Sequence, residues 1–473
     1  MIAAGAAAEH DPRPGPDAAV ARLDLVLAPD IAPRLSRAAG FRALGLRGGR
    51  WARLAEIWGL GAEGEAIGAG PGAALPPEGL VFGGVIGRRR RYVSRAVPGL
   101  ALEIAAGAFV AGAGGGRFFR LTLTGPALAV AAAARALAED LPLVALPASL
   151  PVFAAHRALG VALPHPADPT AGLEAATPLA LAAGRILAAR GAVLRAHLAA
   201  LPLVPGPASA DHDPEPVHQT RVALRRLRAA IAAFAPVCAP MLAELRQSLR
   251  GFGHVLGPAR EWDVFMAEIG RDLTRAFPDD PAPPHLLSVA RARWHDAYAA
   301  LGAWRAGDEA RRLDVMLAIL PLLVMPPENG EAAPSFGAFA GARLERRARK
   351  LRRVTTLAEL GPELLHRLRL DAKRLRYLGE IFAPCFPPRR MARFLRRLTV
   401  LQDWLGTIND VATTARLVRE LTPDCALASP PFAAGFAVAQ GMALGLAAAG
   451  VPRATGKAAR ALLRLQALKP FWL

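Results

Sequence analysis

VHQTRVALRRLRAAIAAF, residues 217–234, decides the reading of the larger part of this chain. It reads as a helix. Asp213 can cap it, Pro214 suits the first turn, and Glu215 favours the positive helix end. At about 100° per residue, His218, Arg221, Arg225 and Arg228 fall within about 80° of one another. Leu224, Leu227, Ile231 and Phe234 collect on the opposite side. One face can enter a core while the other presents a row of cations headed by an imidazole.

The pattern returns. His366, Arg369, Lys373, Arg374, Leu375 and Arg376 repeat the spacing H-x2-R-x3-[RK]-R-L-R at an offset of 148 residues. A second landmark, Leu256-Gly257-Pro258-Ala259-Arg260-Glu261, is echoed by Leu405-Gly406-Thr407-Ile408-Asn409-Asp410 at an offset of 149. Two motifs at nearly one offset mark an internal duplication.

The 473 residues suffice for two or three domains, each with its own core. The net charge of +19 favours a polyanionic partner. That charge is uneven: residues 1–176 carry only about +3, and the remainder about +16. Arginine dominates, and its planar fork suits phosphate oxygens. A GC-rich genome accounts for much of the preference for Arg over Lys, but not for the repeated spacing. Cys238, Cys385 and Cys425 are scattered without metal-ligand or disulfide spacing and suit a reducing compartment. The N-terminus lacks the basic segment and long apolar run of a signal peptide. Residues 432–451 carry no charge over 20 positions, but their Ala and Gly content and Gln440 point to a close-packed bundle helix and not a membrane span.

The N-terminal third reads as a mainly antiparallel sheet or barrel with a few helices. Strands are expected near 22–27, 51–57, 80–85, 91–97, 100–106 and 118–124. Helices are expected at 31–44, 127–138 and 152–159. Arg88-Arg89-Arg90-Arg91 reads as a solvated turn between strands. The order of these pieces resembles the CYTH (triphosphate tunnel) domain over residues 21–160. The resemblance rests on Arg22–Pro29 as first strand, Leu102–Gly107 as a middle strand, Phe119–Gly125 before a helix, and the stretch from Asp140 to Ser149. That family opens with E-x-E-x-K, whose carboxylates hold metal and whose lysine meets phosphate. Here the matching positions are Arg22, Asp24 and Val26. Arg120 and Thr122 stand where the family alternates glutamates, and Leu150 where it has a basic residue. With Asp24 and Glu103 alone left to ligate a divalent ion, the resemblance implies a degenerate, structural domain.

Beyond a linker at 164–170 the pattern is helical. Helices are expected at 178–201, 215–234, 241–255, 260–274, 285–306 and 309–323. A break at 325–335 precedes a second set at 336–355, 362–382, 388–405, 409–421 and 432–449. This predicts an all-α domain over 177–473, in halves of about 177–324 and 336–473.

Residues 214–228 (PEPVHQTRVALRRLR) look like the signature of the CHAD domain, the conserved-histidine α-helical domain. Gly257–Val264, Lys373–Tyr377 and Leu401–Gly406 support the resemblance, which spans about 180–473. It implies two helical bundles related by a pseudo-twofold, basic residues around a central groove, and binding of inorganic polyphosphate. The expected phosphate contacts are His218, Arg221, Arg225, Arg228, Arg260, His366, Arg369, Lys373 and Arg376, with Arg226 and Arg374 as flanks. Glu261, Asp263, Asp403, Asp410 and Glu380 are expected to pair with and orient the arginines. The expected role is binding and not catalysis, with no cofactor and no membrane partner, in the cytoplasm. Association with polyphosphate granules is an expectation of the resemblance, and a protein partner is a role open to the N-terminal domain. Two alternatives stand beside this reading. One is a metal-dependent triphosphatase, which would need a divalent ion. The other is nucleic-acid binding by the same rows, against which the chain's 28 aromatics, few of them near the rows, weigh.

Overall fold

The computed structural model describes residues 20–27, 32–60, 66–69, 80–146, 154–155, 170–201, 213–238, 242–324, 334–357, 360–422 and 429–473. The expected helix at 152–159, the linker at 164–170 and the break at 325–335 fall wholly or largely outside these residues. The chain divides into two compact units, residues 1–165 and 166–473.

The first unit is an antiparallel sheet of β1 (Ala21–Val26), β2 (Leu46–Gly48), β3 (Ala52–Leu60), β4 (Ala66–Ala69), β5 (Leu80–Ser94), β6 (Ala101–Ala111), β7 (Gly114–Gly125) and β8 (Val144–Ala145). Strand order is β4-β3-β5-β6-β7-β1-β8, with β2 paired to β5. Register explains its two faces. Leu23 opposes Leu123, and Leu25 opposes Leu121. Those two β7 leucines in turn oppose Leu102 and Ile104 of β6. All six are buried. Helix α2 (Ala127–Asp140) lies against β1 and β7. On the other face Asp24, Thr122 and Glu103 are aligned.

Two expectations fail here. The 31–44 helix is instead a 3-10 turn, Ala32–Arg37, followed by the short α1 (Ala39–Ala43). Gly40 sits so close to α2 that a Cβ there would lie 2.4 Å from the Ala136 carbonyl, so contact with α2 outweighs a continuous helix. Nor is Arg88–Arg91 a turn; it lies inside the 15-residue β5. β3 and β6 flank β5 and take up its backbone groups, and Arg88 and Arg89 oppose the small residues Ala106 and Ala105.

The second unit is helical: α3 (Leu179–Ala200), α4 (Glu215–Ala233), α5 (Ala243–Val264), α6 (Ala282–Ala306), α7 (Asp308–Leu323), α8 (Phe336–Arg352), α9 (Pro362–Ile381), α10 (Pro388–Leu421), α11 (Pro430–Ala449) and α12 (Val451–Gln466). The two sets of five correspond. Gly184 on α3 meets the Val324 carbonyl, where a Cβ would lie 2.4 Å away, and Gly341 on α8 meets the Trp472 carbonyl at the same 2.4 Å.

Sequence reasoning broke helices that the structure continues. α5 runs through Pro258, and a six-residue π turn, Phe265–Gly270, joins it to a short helix, Arg271–Ala276. An internal proline costs roughly 3 kcal/mol. The stripe Leu245, Leu249, Phe252, Leu256, Ala259 and Trp262 is buried on both sides of it. At about 1.5–3 kcal/mol per large buried side chain, that stripe outweighs the break. α10 likewise runs 34 residues through Gly406, where the expectation placed a gap. The fifth helix of the second set, α12, lay beyond the expected elements. α11 is less enclosed than expected: Phe436, Ala439 and Ala443 are buried but Val438 is 51% exposed. Gln440 ties it to α10 by donating to the Val418 carbonyl and the Thr422 hydroxyl. Pro430–Gln466 is the one stretch among the described residues long and apolar enough to cross a membrane.

Candidate functional site

α4 begins as its sequence requires. The Asp213 carboxylate accepts from the Glu215 N–H at 2.9 Å. Pro214 holds the cap itself and Pro216 lies in the first turn. Leu224, Leu227, Ile231 and Phe234 are each at most 2% exposed, which leaves His218, Arg221 and Arg225 on a half-buried outer face.

α4 and α9 pack on each other. Phe234 and Phe382, separated by the repeat offset of 148, meet edge to face with centroids 6.1 Å apart. Phe336 and Phe339 complete the aromatic cluster around Phe234. Equivalent ends of duplicated helices therefore touch, and their basic rows are brought onto one site.

The electrostatics record that convergence. Burial, followed by Arg369, Arg225, Arg221 and Arg376, pushes the Lys373 ammonium down to about 8. The Arg369 guanidinium is lowered by burial and by Arg225, while Asp410 opposes the shift. Arg221 is lowered by burial, then relieved by Glu261, and lowered again by Arg225, Arg260 and Arg369. His218 is pushed below the usual imidazole range by burial and by Arg260. In each case burial comes first, and cations of the same helix, of a neighbouring helix or of the other half add to it. The Nε atoms of Arg225, Arg369 and Arg376 are buried without a hydrogen-bond partner among the described residues.

The second landmark supplies the orienting groups on the adjoining helices α5 and α10. Arg221 donates to the Gly257 carbonyl at 3.0 Å and stands 4.0 Å from Glu261. Its counterpart Arg369 is attracted by Asp410, the counterpart of Glu261. Glu261 also binds Arg416 at 2.6 Å, bridging the halves. Buried Asp263 accepts from Trp294 and Tyr298 at 2.9 and 3.0 Å and holds Arg260 at 3.8 Å. Glu380 lies 3.7 Å from Arg376. Asp403 is exposed and makes no such pair among the described residues.

At the head of the second row, His366 Nδ1 lies 2.8 Å from the Asn409 side-chain oxygen. Asn409 donates its amide to Thr413 at 3.1 Å, which fixes its oxygen toward the ring. Nδ1 of His366 therefore carries the hydrogen, and Nε2 becomes a donor only in the protonated imidazole.

Not every expected contact joins the site. Arg228 lies over Gly253 of α5, and Arg226 is exposed. Arg374 turns away from the row toward Asp371, at 3.5 Å. Asp371 lies on the far face of α9, and this contact draws Arg374 away from the row it was expected to flank. It joins a cavity with Arg343, Arg346, Arg347 and Lys350 of α8. Sequence reasoning passed over those four, although their i, i+3, i+4, i+7 spacing in FGAFAGARLERRARKLR was the available signal.

On the sheet of the first unit, Asp24 accepts from Thr122 at 2.5 Å and pairs with Arg22 at 3.3 Å. Glu103 stands 3.8 Å from both Arg89 and Arg120. Each carboxylate faces cations, and among the described residues no cluster of three or more His, Cys, Asp or Glu gathers to hold a metal.

Residues 185–419 match the family model of the CHAD domain. The structure is similar to the crystal structure of the CHAD domain from the plant Ricinus communis, with 27% identity over 63% of this chain and 95% of that one, at a TM-score of 0.49. It is also similar to PptA from Streptomyces chartreusis, with 17% identity over 61% of this chain and all of that one, at a TM-score of 0.44. No curated protein matches the chain.

Proposed function

We propose that this chain, which carries a CHAD domain at residues 185–419, binds inorganic polyphosphate along the paired rows of α4 and α9. The family is linked to that ligand. The observation that carries the reading is the packing of α4 on α9, which buries Lys373 and sets it among Arg369 of its own helix and Arg225 and Arg221 of the other half. Bringing that many cations together is costly, and a polyanion between them removes the cost. Arg221, Arg225, Arg369, Lys373 and Arg376 hold phosphate oxygens, Arg260 closes one end, and the two histidines stand at the heads of the rows. Arg228 and Arg226 form the rim. The polymer offers charge and no bases, and the site offers guanidinium forks, with the Tyr377 ring 5.3 Å from the Arg376 guanidinium.

In this reading the chain binds without a chemical step of its own, and the sheet unit serves as scaffold or partner surface. Orthophosphate release from triphosphate at enzymatic turnover, with Mg²⁺ or Mn²⁺ supplied, would overturn that part.

The test is a salt-titrated binding assay with long-chain polyphosphate. It compares the wild type with Arg221→Ala/Arg225→Ala and Arg369→Ala/Lys373→Ala. Both pairs should weaken binding and flatten its salt dependence, since each lost phosphate contact releases fewer counterions. Double-stranded DNA at matched phosphate concentration should compete poorly. Unchanged binding in both variants would make the rows structural.

A further inference from the structure

The far face of α9 carries a second cationic site. Arg343, Arg346, Arg347 and Lys350 of α8 join Arg374 of α9 around a cavity of about 290 Å³. Ala229, Ala232 and Ala233 of α4 and Leu378 of α9 complete its wall. On α9, Arg374 and Leu378 lie about 140–180° from Arg369 on the helical wheel. The cavity therefore opens on α9 away from Arg369, while Ala229 and Ala232 place its other wall on the face of α4 that carries Arg221 and Arg225, about one to two turns beyond Arg225.

Arg343, Arg347 and Arg374 are held in place, and the cluster as a whole is poorly compensated. Arg343 donates to the carbonyls of Ala232 and Ala233 at 3.0 and 2.9 Å, at the C-terminal end of α4, and its guanidinium lies 5.5 Å from the Phe339 ring centre. Asp371 is the only carboxylate recorded against the cluster among the described residues, 3.6 Å from Arg347 and 3.5 Å from Arg374. Five cations thus face one carboxylate. Arg343 is lowered by burial and then by Arg347 and Arg346, so the crowding is felt where the cluster is deepest.

The duplication shows that this face is not a requirement of the fold. Gly184 and Gly341 make the same contact in the two halves, which sets α3 against α8 at an offset of 157. At that offset the positions of Arg343, Arg346, Arg347 and Lys350 are held in the first half by Ile186, Ala189, Arg190 and Val193. Ile186 is fully buried. One copy of the helix is built with an apolar face and one basic residue; the other presents four.

We propose that this cavity is a separate binding site for a short condensed phosphate of the pyrophosphate or triphosphate class. Its net charge of about four matches such an anion, and a volume of about 290 Å³ takes a compact ligand and not a long chain. The site goes beyond the rows and does not require them.

The experiment is equilibrium binding of sodium triphosphate at low ionic strength to the full chain, with sulfate as the control for simple charge. Two variants are compared: Arg346→Glu/Lys350→Glu, both exposed and so compatible with folding, and the row variant Arg369→Ala/Lys373→Ala. Circular dichroism and thermal unfolding confirm that each is folded. The wild type should bind triphosphate saturably and in preference to sulfate. The cavity variant should lose about tenfold or more in affinity, as expected for two lost charge-assisted contacts, and the row variant should lose little. Long-chain polyphosphate should show the reverse order, so failure of the cavity and failure of the rows read out separately. No saturable triphosphate binding in the wild type, no preference over sulfate, or loss only in the row variant would each overturn the proposal.

Discussion

On the proposed function, Lys373 makes polyphosphate binding depend on pH in a range where the internal phosphates of the polymer do not titrate. In the free protein its ammonium is pushed down to about 8 by burial and by Arg369, Arg225, Arg221 and Arg376. A bound polyanion reverses the balance, because the cations that repel Lys373 are then neutralised and the ligand favours its charged form. The bound state therefore holds the proton to higher pH than the free state. Linkage fixes the sign of the Lys373 contribution: it is level below pH 8 and falls above it, by up to one proton per site. At pH 9 the free protein is protonated at Lys373 in about one molecule in ten, so the full effect is a loss of about tenfold. Solvent reaches part of the side chain and screens it, which brings the expectation to about three- to tenfold.

The assay is fluorescence anisotropy with end-labelled long-chain polyphosphate between pH 7 and 9.5 at constant ionic strength. Lys373→Arg keeps the charge throughout this range and should bind with little slope. Lys373→Met should be weaker at every pH and equally flat. An affinity in the wild type that is constant from pH 7 to 9, or a slope that persists in Lys373→Arg, would refute the crowding argument and with it the convergence of the two rows on one ligand.

Three further outcomes follow from other residues. Burial and Arg260 hold His218 below the usual imidazole value, and a bound polyanion brings it back up, so affinity should rise as pH falls below about 6.5 and should do so less in His218→Gln. Glu345 is buried, which alone would raise its carboxyl, but hydrogen bonds from Arg352, Arg349 and Trp472 hold it down to about 2. Its stabilisation is present above the unfolded value near 4.5 and is lost as pH falls toward 2; Glu345→Gln should cost about 2–3 kcal/mol at neutral pH by urea denaturation and narrow the difference from wild type in acid. Gly184→Ala and Gly341→Ala each place a Cβ 2.4 Å from a carbonyl oxygen, and each should lower stability by about 1–3 kcal/mol in the same assay.

The rows were legible because a repeated spacing is a statement about three dimensions. A single H-x2-R-x3-R motif describes one helix face; two copies at one offset describe related helices whose faces serve one site. The second landmark carried similar information, since Glu261 and Asp410 occupy equivalent places beside Arg221 and Arg369. What the spacing could not give was the direction of Arg374. It adjoins Lys373 in sequence but turns to Asp371, and the four α8 cations that share its cavity are distant in the chain. Helix continuity through Pro258 and Gly406 was equally hidden. A local breaker is visible in the sequence, whereas the burial on either side that overrides it is set by the tertiary packing. In the sheet unit the Arg88–Arg91 run misled for the opposite reason. Four charges in sequence suggest solvent, yet strand alternation sends them to two faces. Arg90 leaves for the Gly49 carbonyl, while Arg89 faces Glu103.

Where the halves agree and where they part separates structure from function. Gly184 and Gly341, like Phe234 and Phe382, hold equivalent places in the packing, and their retention keeps two sets of helices in the same shape. Arg221 and Arg369, each with its carboxylate, keep the same shape and also the same charge, as the proposed ligand across both copies would demand. His218 and His366 share position but not surroundings. The first is crowded by Arg260, while the second rests on Asn409, which holds the place of that arginine. Exchanging the two partners by Arg260→Asn should therefore relieve His218 and move its pKa up toward the usual imidazole value, readable by proton NMR of the ring. The polyphosphate affinity of that variant should fall at neutral pH, where a cation has been removed, and recover part of the loss below the raised pKa, where His218 supplies the charge. An unmoved His218 would mean that burial alone sets its pKa and that Arg260 does not face the row.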